Sequence, residues 1–408
     1  MMPKRRTMIH ALVWQMLLMG LLGLSGIIFV PLLLLTADAQ LMANVLVAQV
    51  SVYYLVLLVQ FGFVISGPAA MASAADAAGK AQVWLKAMHS KWLLAMPVAV
   101  IFGLTFVSFS WGQWHLLWFV LLVVAFAVNS NWYLQAQQNF VSGTAFAAFG
   151  VGLSVYMFWM FPSDGTWLVL ILVMPQVSLG FGTWWVARKA CLGLMHTQPS
   201  LQGALGLLRK DAPLVASHLL LLAATTLGTV VVGALADPLT TAAYAATEKL
   251  FNLGATVMVG FYMALYPRFA DYFYSDRTVF WVKTKQLFLA LMGGGVLLAV
   301  LLHLAGTELM ALYLPQSMAS IVVPALQPFA VWLGLCLSQH VLISYLVLAE
   351  RQRLVLWANA WVLAVTVAVG FAFAQSSPID WVYGMVAGQA AALAWLYRLY
   401  VQDQVLRA

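Results

Sequence analysis

The chain has 408 residues, of which 64% are hydrophobic and only 8% are charged, and its mean hydropathy is +0.95. A soluble domain of this length does not have such a balance, so soluble classes of protein are excluded. The net charge of +7 lies between the apolar runs, where it indicates orientation in a membrane rather than nucleic-acid binding. Unbroken apolar runs also exclude a membrane β-barrel, whose strands alternate in polarity.

Apolar runs of about 20 residues recur from end to end, which is the length that a helix needs to cross a bilayer. The sequence therefore predicts an all-α polytopic membrane protein with about twelve transmembrane helices. The predicted spans are 9–35, 44–66, 92–110, 115–135, 141–161, 167–187, 213–235, 241–267, 286–304, 321–348, 354–374 and 379–400.

Basic residues alternate with acidic residues along the connections. All 19 Lys and Arg residues except Lys249 lie at or near the ends of the spans that form one side, Lys91 among them. The opposite connections hold only acidic charges, namely Asp38, Asp164, Asp237, Glu308 and Asp380. Because Lys and Arg concentrate in cytoplasmic loops, both termini are predicted to be cytoplasmic.

The two longest connections, 67–91 and 188–212, lie on the predicted cytoplasmic side and are amphipathic, which predicts helices along the membrane surface. The second connection divides the chain into a six-helix lobe at 1–190, a cytoplasmic linker at 191–212 and a second six-helix lobe at 213–408. Both halves begin and end on the same side, so a parallel repeat about an axis along the membrane normal is expected.

The eighth predicted span differs from the others because it carries two adjacent charges, Glu248 and Lys249. A charge at membrane depth is costly and usually faces a wet cavity or a partner. Helical spacing places Asn252 and Thr256 on about the same face, one and two turns further on. We therefore predict that this helix lines a cavity.

The chemistry of the charged residues leaves alternatives open. Lys249 is interpreted as a point charge for an anionic headgroup such as a phosphate or diphosphate, with a buried ion pair as the alternative. Glu248 has three roles open to it: counter-ion to Lys249, proton or sodium coupling, or a bond between helices. Arg268 follows Pro267 at the predicted cytoplasmic end, where it either anchors the helix or captures substrate from the inner leaflet.

Uncharged polar side chains also occur at membrane depth, including Tyr53 and Gln60 in the second span and Asn131 in the fourth. Any one of them is typical of hydrogen bonding between packed helices. Together, the polar groups of spans one, two, seven and eight predict a water-filled cleft between the halves, with these three residues as candidates for contacting substrate. His218 in the seventh span is a second candidate for ion coupling.

Motifs for nucleotide binding or catalysis do not occur in the sequence. There is no Walker motif, no glycine-rich phosphate loop and no nucleophile elbow, and no histidine pair has metal-ligand spacing. Cys191 and Cys336 are predicted to be free thiols. The pattern indicates a transporter and not an enzyme, without cofactor or metal.

Four stretches of the chain resemble a known family. They are VYYLVLLVQFGFVISGPAAMA, NWYLQAQQNF, AAYAATEKLFNLGATVMVGFYMALYPRFA and YLVLAERQRLVLWANAWVLAVTV. They resemble the O-antigen and lipid-linked oligosaccharide flippases (Wzx-type polysaccharide transporters) of the multidrug/oligosaccharidyl-lipid/polysaccharide exporter superfamily. The resemblance extends over the whole chain, through motifs that are individually loose.

The resemblance implies two six-helix lobes around a central cavity that opens alternately to each side. It implies that an undecaprenyl-diphosphate-linked oligosaccharide, an O-antigen or related surface-polysaccharide repeat unit, moves from the cytoplasmic to the periplasmic leaflet of the bacterial inner membrane. Lys249 would then meet the diphosphate, while Tyr, Asn and Gln side chains would meet the sugars. Membrane lipid, a polysaccharide polymerase and a chain-length regulator are the other partners that it implies.

Two rival interpretations come from other classes. A cation-coupled multidrug or small-solute exporter of the same superfamily would favour several buried carboxylates in one lobe, and only Glu248 meets that description. An integral-membrane enzyme such as a polysaccharide polymerase would need a large extracytoplasmic loop with arginines, whereas these loops are short and contain none.

Overall fold

The computed structural model describes residues 5–60, 63, 67, 70–71, 74, 76–108, 114–137, 139–161, 165–194, 201–349 and 351–407. Within these ranges the chain is helical and has no β-strand. The α-helices are α1 Arg5–Thr36, α2 Ala39–Gln60, α3 Ala77–Ser108, α4 Val120–Val128, α5 Asn131–Ala136, α6 Phe140–Met160, α7 Gly165–Cys191, α8 Leu201–Leu235, α9 Pro238–Ser275, α10 Arg277–Tyr313, α11 Gln316–Leu348, α12 Gln352–Ala374 and α13 Trp381–Arg407. Two short 3-10 helices lie at Trp114–Phe119 and Pro378–Asp380.

The helices have the length and composition of membrane spans. In the described part of the chain, 10 helical segments are long and apolar enough to cross a membrane. Two more helices, α9 with 38 residues and α13 with 27 residues, occupy the positions of the eighth and twelfth predicted spans. The predicted all-α, multi-pass fold is confirmed.

Several helices begin earlier than hydropathy predicts. Residues 77–91 and 201–212 are helical, as their amphipathic pattern predicts, but they form the first parts of α3 and α8 and are not separate helices. Lys, Gln, Leu and Ala are good helix formers, so a helix continues past the point where its sequence ceases to be apolar. The division into two lobes at 191–212 stays a prediction.

The fourth predicted span is interrupted rather than continuous. A 3-10 helix leads into α4, and the backbone leaves the helical conformation at Asn129 and Ser130 before α5 begins. Lys91, which is 1% exposed, donates from Nζ to the carbonyl oxygens of Phe126 at 3.2 Å and Asn129 at 2.7 Å. Lys91 was counted among the connection charges, but its ammonium group caps the C-terminal end of α4, where unpaired carbonyls favour a cation.

The chain forms two compact units. Unit 1 comprises Met1–Phe29 with Ala48–Val215, and unit 2 comprises Val30–Val47 with Ala216–Ala408. The end of α1 and the beginning of α2 therefore pack with the second half of the sequence.

In unit 1, α6 and α7 pack through small residues. A side chain at Gly150 would collide with the backbone of Pro175, and the Ser178 hydroxyl donates to the carbonyl oxygen of Phe146 at 2.6 Å. Inside a bilayer the hydrophobic effect does not drive helices together. They associate instead through close packing at small residues and through hydrogen bonds from hydroxyl groups, as seen here.

In unit 2, two helix pairs are in backbone contact at glycines. Gly295 of α10 meets Gly334 of α11, and Gly370 of α12 meets Gly384 of α13. At the end of unit 2 that the charge pattern assigns to the cytoplasm, Arg351 pairs with Asp403 at 2.6 Å. This end also contains a cluster of aromatic rings: Phe269, Phe273, Phe280, Trp281, Tyr345 and Tyr400.

Candidate functional site

Glu248 lies in the interior of unit 2. Its side chain is 2% exposed, and its Oε2 accepts a hydrogen bond from the backbone N–H of Thr229 on α8 at 3.1 Å. A methyl group at Gly228 would overlap the Tyr244 hydroxyl and lie 2.9 Å from both Glu248 Oε2 and Trp381 Cδ1. The glycine thus leaves the space in which a carboxylate, a phenol and an indole meet.

This arrangement gives one of the three roles left open for Glu248 a structural basis. The carboxylate forms an interhelical hydrogen bond to α8, through a group on the helix backbone. A hydrogen bond from a backbone N–H stabilises the charged form of a buried carboxylate, which would otherwise be costly to bury. Ion binding by Glu248 stays a prediction.

Lys249 is rotated by about 100° from Glu248 around α9, and the two charges interact electrostatically. At about 100° per residue, Thr256 lies within about 20° of Lys249, and Asn252 lies between the two charges, about 40° from Glu248 and about 60° from Lys249. Lys249 and Asn252 are half-buried and Thr256 is exposed. The polar side of this helix thus extends from the buried Glu248 through Asn252 to the half-buried Lys249 and the exposed Thr256.

The sequence explains why α9 is positioned so firmly at its N-terminal half. Asp237 caps the helix by accepting from the backbone N–H groups of Leu239 at 2.9 Å and Thr240 at 3.0 Å, and Pro238 occupies the first turn. Further along, Phe251 stacks on Phe329 of α11 with ring centroids 5.1 Å apart. Capping and stacking together fix the rotation of α9 that directs Glu248 inward.

A second group of buried polar side chains lies in unit 2, nearer the end that the charge pattern assigns to the cytoplasm. Gln339 Nε2 donates to Asn359 Oδ1 at 3.3 Å, and Asn359 Nδ2 donates to Ser217 Oγ at 3.0 Å. His218 adjoins this group on α8 and lies close enough to His340 of α11 for the two imidazoles to influence each other electrostatically. His218 therefore belongs to a polar cluster that joins α8, α11 and α12, separate from the Glu248 carboxylate.

The remaining predicted site residues lie in unit 1 or outside the described part. Tyr53 and Gln60 are half-buried on α2, seven residues apart and hence on one face, and Tyr53 hydrogen-bonds to Gln49. Asn131 opens α5 immediately after the break, with its side-chain oxygen against Gly143. Arg268 belongs to α9, but its side chain lies outside the described residues.

A cavity of about 400 Å³ opens in unit 2, at the ends of helices that the charge pattern assigns to the extracytoplasmic side. Asp237 and Asp380 contribute to its lining. Hydrogen bonds from Thr240 lower the pKa of Asp237, whereas partial burial raises the pKa of Asp380. Neither residue was a candidate for the site, and the cavity contains none of the residues that were.

The polar neighbours of Glu248 were not recognised from the sequence. Gly228 and Thr229 are residue types common in membrane helices, so the sequence alone does not single them out. A further buried polar residue, which was not a candidate either, is the isolated amide Gln389 in the apolar run GMVAGQAAALAWL of α13. No group of three or more His, Cys, Asp or Glu residues within the described ranges is placed to hold a metal ion. Cys191 and Cys336 are free and buried.

No protein-family model matches the chain, and no curated protein sequence matches it either. Its fold, however, is similar to that of solved transporter structures. An inward-facing multidrug resistance MATE family transporter of the MOP superfamily has a TM-score of 0.69 at 15% identity, covering 95% of each chain. An outward-facing MATE transporter of the same superfamily has a TM-score of 0.62 at 15% identity, covering 97% of this chain and 96% of the other.

A third structure, of MATE in the straight conformation, has a TM-score of 0.65 at 14% identity and covers 97% of this chain and 96% of its own. The chain therefore has the MATE transporter fold over nearly its whole length. At such low identity the similarity establishes the fold, and the cargo has to be inferred from the residues of this chain.

Proposed function

We propose that this protein is an alternating-access transporter that moves an undecaprenyl-diphosphate-linked oligosaccharide from the cytoplasmic to the periplasmic leaflet of a bacterial inner membrane. The observation that carries the proposal is the position of Lys249. It lies within a long helix of unit 2, on a face that also presents Asn252 and Thr256. A cation beside hydrogen-bonding side chains at membrane depth suits a diphosphate joined to sugars.

The fold supports the alternating-access part of the proposal. Similar structures are described as inward-facing and outward-facing, which are the two states that such a cycle requires. In this scheme the polyprenyl tail stays in lipid, and Tyr53, Gln60 and Asn131 are the candidates for contacting the sugars. Arg268 receives the diphosphate at the inner leaflet.

Glu248 is the first candidate for coupling transport to an ion gradient, and His218 is the second. A carboxylate held by hydrogen bonds from Thr229 inside a helical bundle can exchange a proton without dismantling the packing around it. In the cell, a polysaccharide polymerase and a chain-length regulator would consume the exported repeat unit and so favour export.

A multidrug exporter is the second candidate function. The similar structures are described as multidrug resistance transporters, and an organic cation would be attracted by a buried carboxylate such as Glu248. The diphosphate-bearing cargo is favoured because the face next to that carboxylate carries a lysine, which repels cations.

The test is complementation of a bacterial strain that lacks its own lipid-linked oligosaccharide flippase and makes a matching repeat unit. The native protein should restore surface polysaccharide, Lys249→Ala should not, and Lys249→Arg should restore part of it. Lys283→Ala is the matched control, because Lys283 is exposed at the start of α10 and donates to Gln286. Normal export by Lys249→Ala at equal expression would contradict the assignment of Lys249, and failure of the native protein would favour the drug exporter.

A further inference from the structure

One buried stripe of α13 faces the Glu248 carboxylate. Trp381, Met385 and Gln389 follow one another at intervals of four residues, so they lie on one face of the helix, and each is 0% exposed. The Tyr244 hydroxyl contacts Met385 Sδ at 3.6 Å, which places the stripe against α9. Trp381 Cδ1 and Glu248 Oε2 both border the space beside Gly228, at the upper end of the stripe.

This stripe contains polar atoms that nothing in the described part of the chain satisfies. Trp381 Nε1 and both amide atoms of Gln389 are buried without a hydrogen-bond partner among the described residues. The same holds for Thr366 Oγ1 on α12, which points at Gly388, the residue next to Gln389. Native proteins leave few buried polar groups unpaired, so a set of this size indicates that these groups hydrogen-bond to water or bind an ion.

Whether water or a metal ion pairs with these groups can be decided from which of their atoms are donors and which are acceptors. A cation accepts only lone pairs, whereas Trp381 Nε1 and Gln389 Nε2 are hydrogen-bond donors. Water donates and accepts, and buried waters typically make about three hydrogen bonds to groups that would otherwise be unsatisfied. The unpaired groups of the stripe therefore match the hydrogen bonding of water and not the coordination of a metal ion.

The unsatisfied groups continue toward the end of unit 2 that is assigned to the cytoplasm. Asn359 precedes Thr366 by seven residues on the same face of α12, which corresponds to about 10 Å along the helix. It receives a hydrogen bond from Gln339, whose Oε1 is also buried without a partner among the described residues. The polar cluster of Ser217, Gln339 and Asn359 thus extends the series of groups that begins at Trp381.

We infer that Gln389, Thr366 and Gln339 hold a file of buried water molecules inside unit 2, along which protons pass between Glu248 and the cytoplasmic half of that unit. The inference rests on the proposed role of Glu248 in ion coupling. At the upper end a proton leaves a water molecule and bonds to the carboxylate, and each water in the file gives up one proton as it receives another. The amides and the hydroxyl orient the water and neither gain nor lose a proton.

The titratable groups along this route occupy its two ends. On α9, Lys249 interacts electrostatically with Glu248, and Glu248 interacts in the same way with the hydroxyl of Tyr244. At the lower end lie His218 on α8 and His340 on α11, where a ring nitrogen of His340 is 2.8 Å from the carbonyl oxygen of Cys336. Histidines at the cytoplasmic end of the route can transfer protons to the water file.

The test follows protonation of Glu248 by time-resolved infrared spectroscopy of the full-length protein in lipid nanodiscs. The carboxylic acid band of Glu248 is identified by its loss in Glu248→Gln, and the buffer is then made rapidly acidic. Gln389→Leu should slow the rise of this band by on the order of a hundredfold, because the file loses a group that orients it. The final amplitude of the band should be unchanged.

Two further variants separate the water file from a packing effect. Gln389→Ser keeps a polar group and leaves room for another water molecule, so it should restore most of the rate. Thr366→Val has the shape of threonine and should slow the band even if Gln389→Leu does not fold. Gln176→Leu, the same chemical change at a half-buried position on α7 of unit 1, should leave the rate unchanged.

The experiment distinguishes a failure of the water file from a failure of ion coupling by Glu248. If the Glu248 band rises equally fast in the native protein, Gln389→Leu and Thr366→Val, the water file is wrong while ion coupling by Glu248 stands. If no Glu248-dependent band responds to pH, the coupling role of Glu248 is wrong and the file falls with it. Export of polysaccharide is measured separately and is decided by neither result.

Discussion

Replacing Gly228 with alanine should destabilise unit 2, and the structure gives the magnitude. The added methyl group would overlap the Tyr244 hydroxyl and lie 2.9 Å from Glu248 Oε2 and Trp381 Cδ1. These three side chains are at most 2% exposed, so none can withdraw into solvent. Overpacking of this kind costs about 1–3 kcal/mol, and three immobile neighbours place the effect at the upper end.

Alanine is favoured over glycine in a helix by about 1 kcal/mol, which leaves a net loss of about 2 kcal/mol. For a unit of this size such a loss lowers Tm by about 4–8 °C. Thermal unfolding followed by tryptophan fluorescence in detergent would measure it. Gly152→Ala on α6 is the matched control, because a methyl group there has no neighbour within 4 Å, and its Tm should stay the same or rise.

Combining Gly228→Ala with Tyr244→Phe removes the overlapping hydroxyl and should recover part of the lost stability. This double variant separates the local clash from a general effect on the helix. If Gly228→Ala unfolds at the native temperature, or if Tyr244→Phe recovers nothing, then α8, α9 and α13 do not meet at Glu248 in the way described.

Three further substitutions test the structure elsewhere, each by its Tm in detergent. Lys91→Met should lower stability by about 1–3 kcal/mol, because two buried carbonyl oxygens lose their donor, and an unchanged Tm would contradict the capping of α4. Asp403→Asn should destabilise by a similar amount through loss of a charged partner for Arg351, and should have little effect once Arg351→Met is present. Asp237→Ala should cost about 0.5–2 kcal/mol as a lost helix cap; because the cap lowers the pKa of Asp237, its contribution is full at neutral pH and disappears as the pH falls through that value, so the two proteins should converge in acid.

The general fold could be predicted because it depends on properties that a sequence displays directly. Runs of apolar residues mark the helices, and the alternation of charge at their ends predicts the orientation of each one. The ends of the helices were harder to locate. Residues 77–91 and 201–212 are polar enough to leave the bilayer but good enough helix formers to remain helical, and hydropathy reports only the first of these properties.

The site was predicted only in part, because its geometry depends on how helices rotate against each other. The charges on α9 drew attention to Glu248 and Lys249, but which of the two is buried in unit 2 follows from contacts with α8 and α11. Threonine is common in membrane helices, so nothing in the sequence marks Thr229 as the partner of Glu248. Lys91 was assigned to a connection for a related reason. The carbonyl oxygens that accept its hydrogen bonds are available because α4 ends at Val128, and the sequence does not indicate that end.

The most direct measurement of the central claim is flipping of a lipid-linked oligosaccharide by the purified protein in liposomes. Undecaprenyl-diphosphate-linked oligosaccharide is placed in both leaflets, and the fraction accessible to an added glycosidase is followed over time. The account predicts that the native protein makes the inner pool accessible, that Lys249→Ala does so no faster than empty liposomes, and that Lys283→Ala matches the native protein. If the native protein flips no oligosaccharide but accumulates an organic cation against a proton gradient, the protein is a drug exporter and the proposed cargo is wrong.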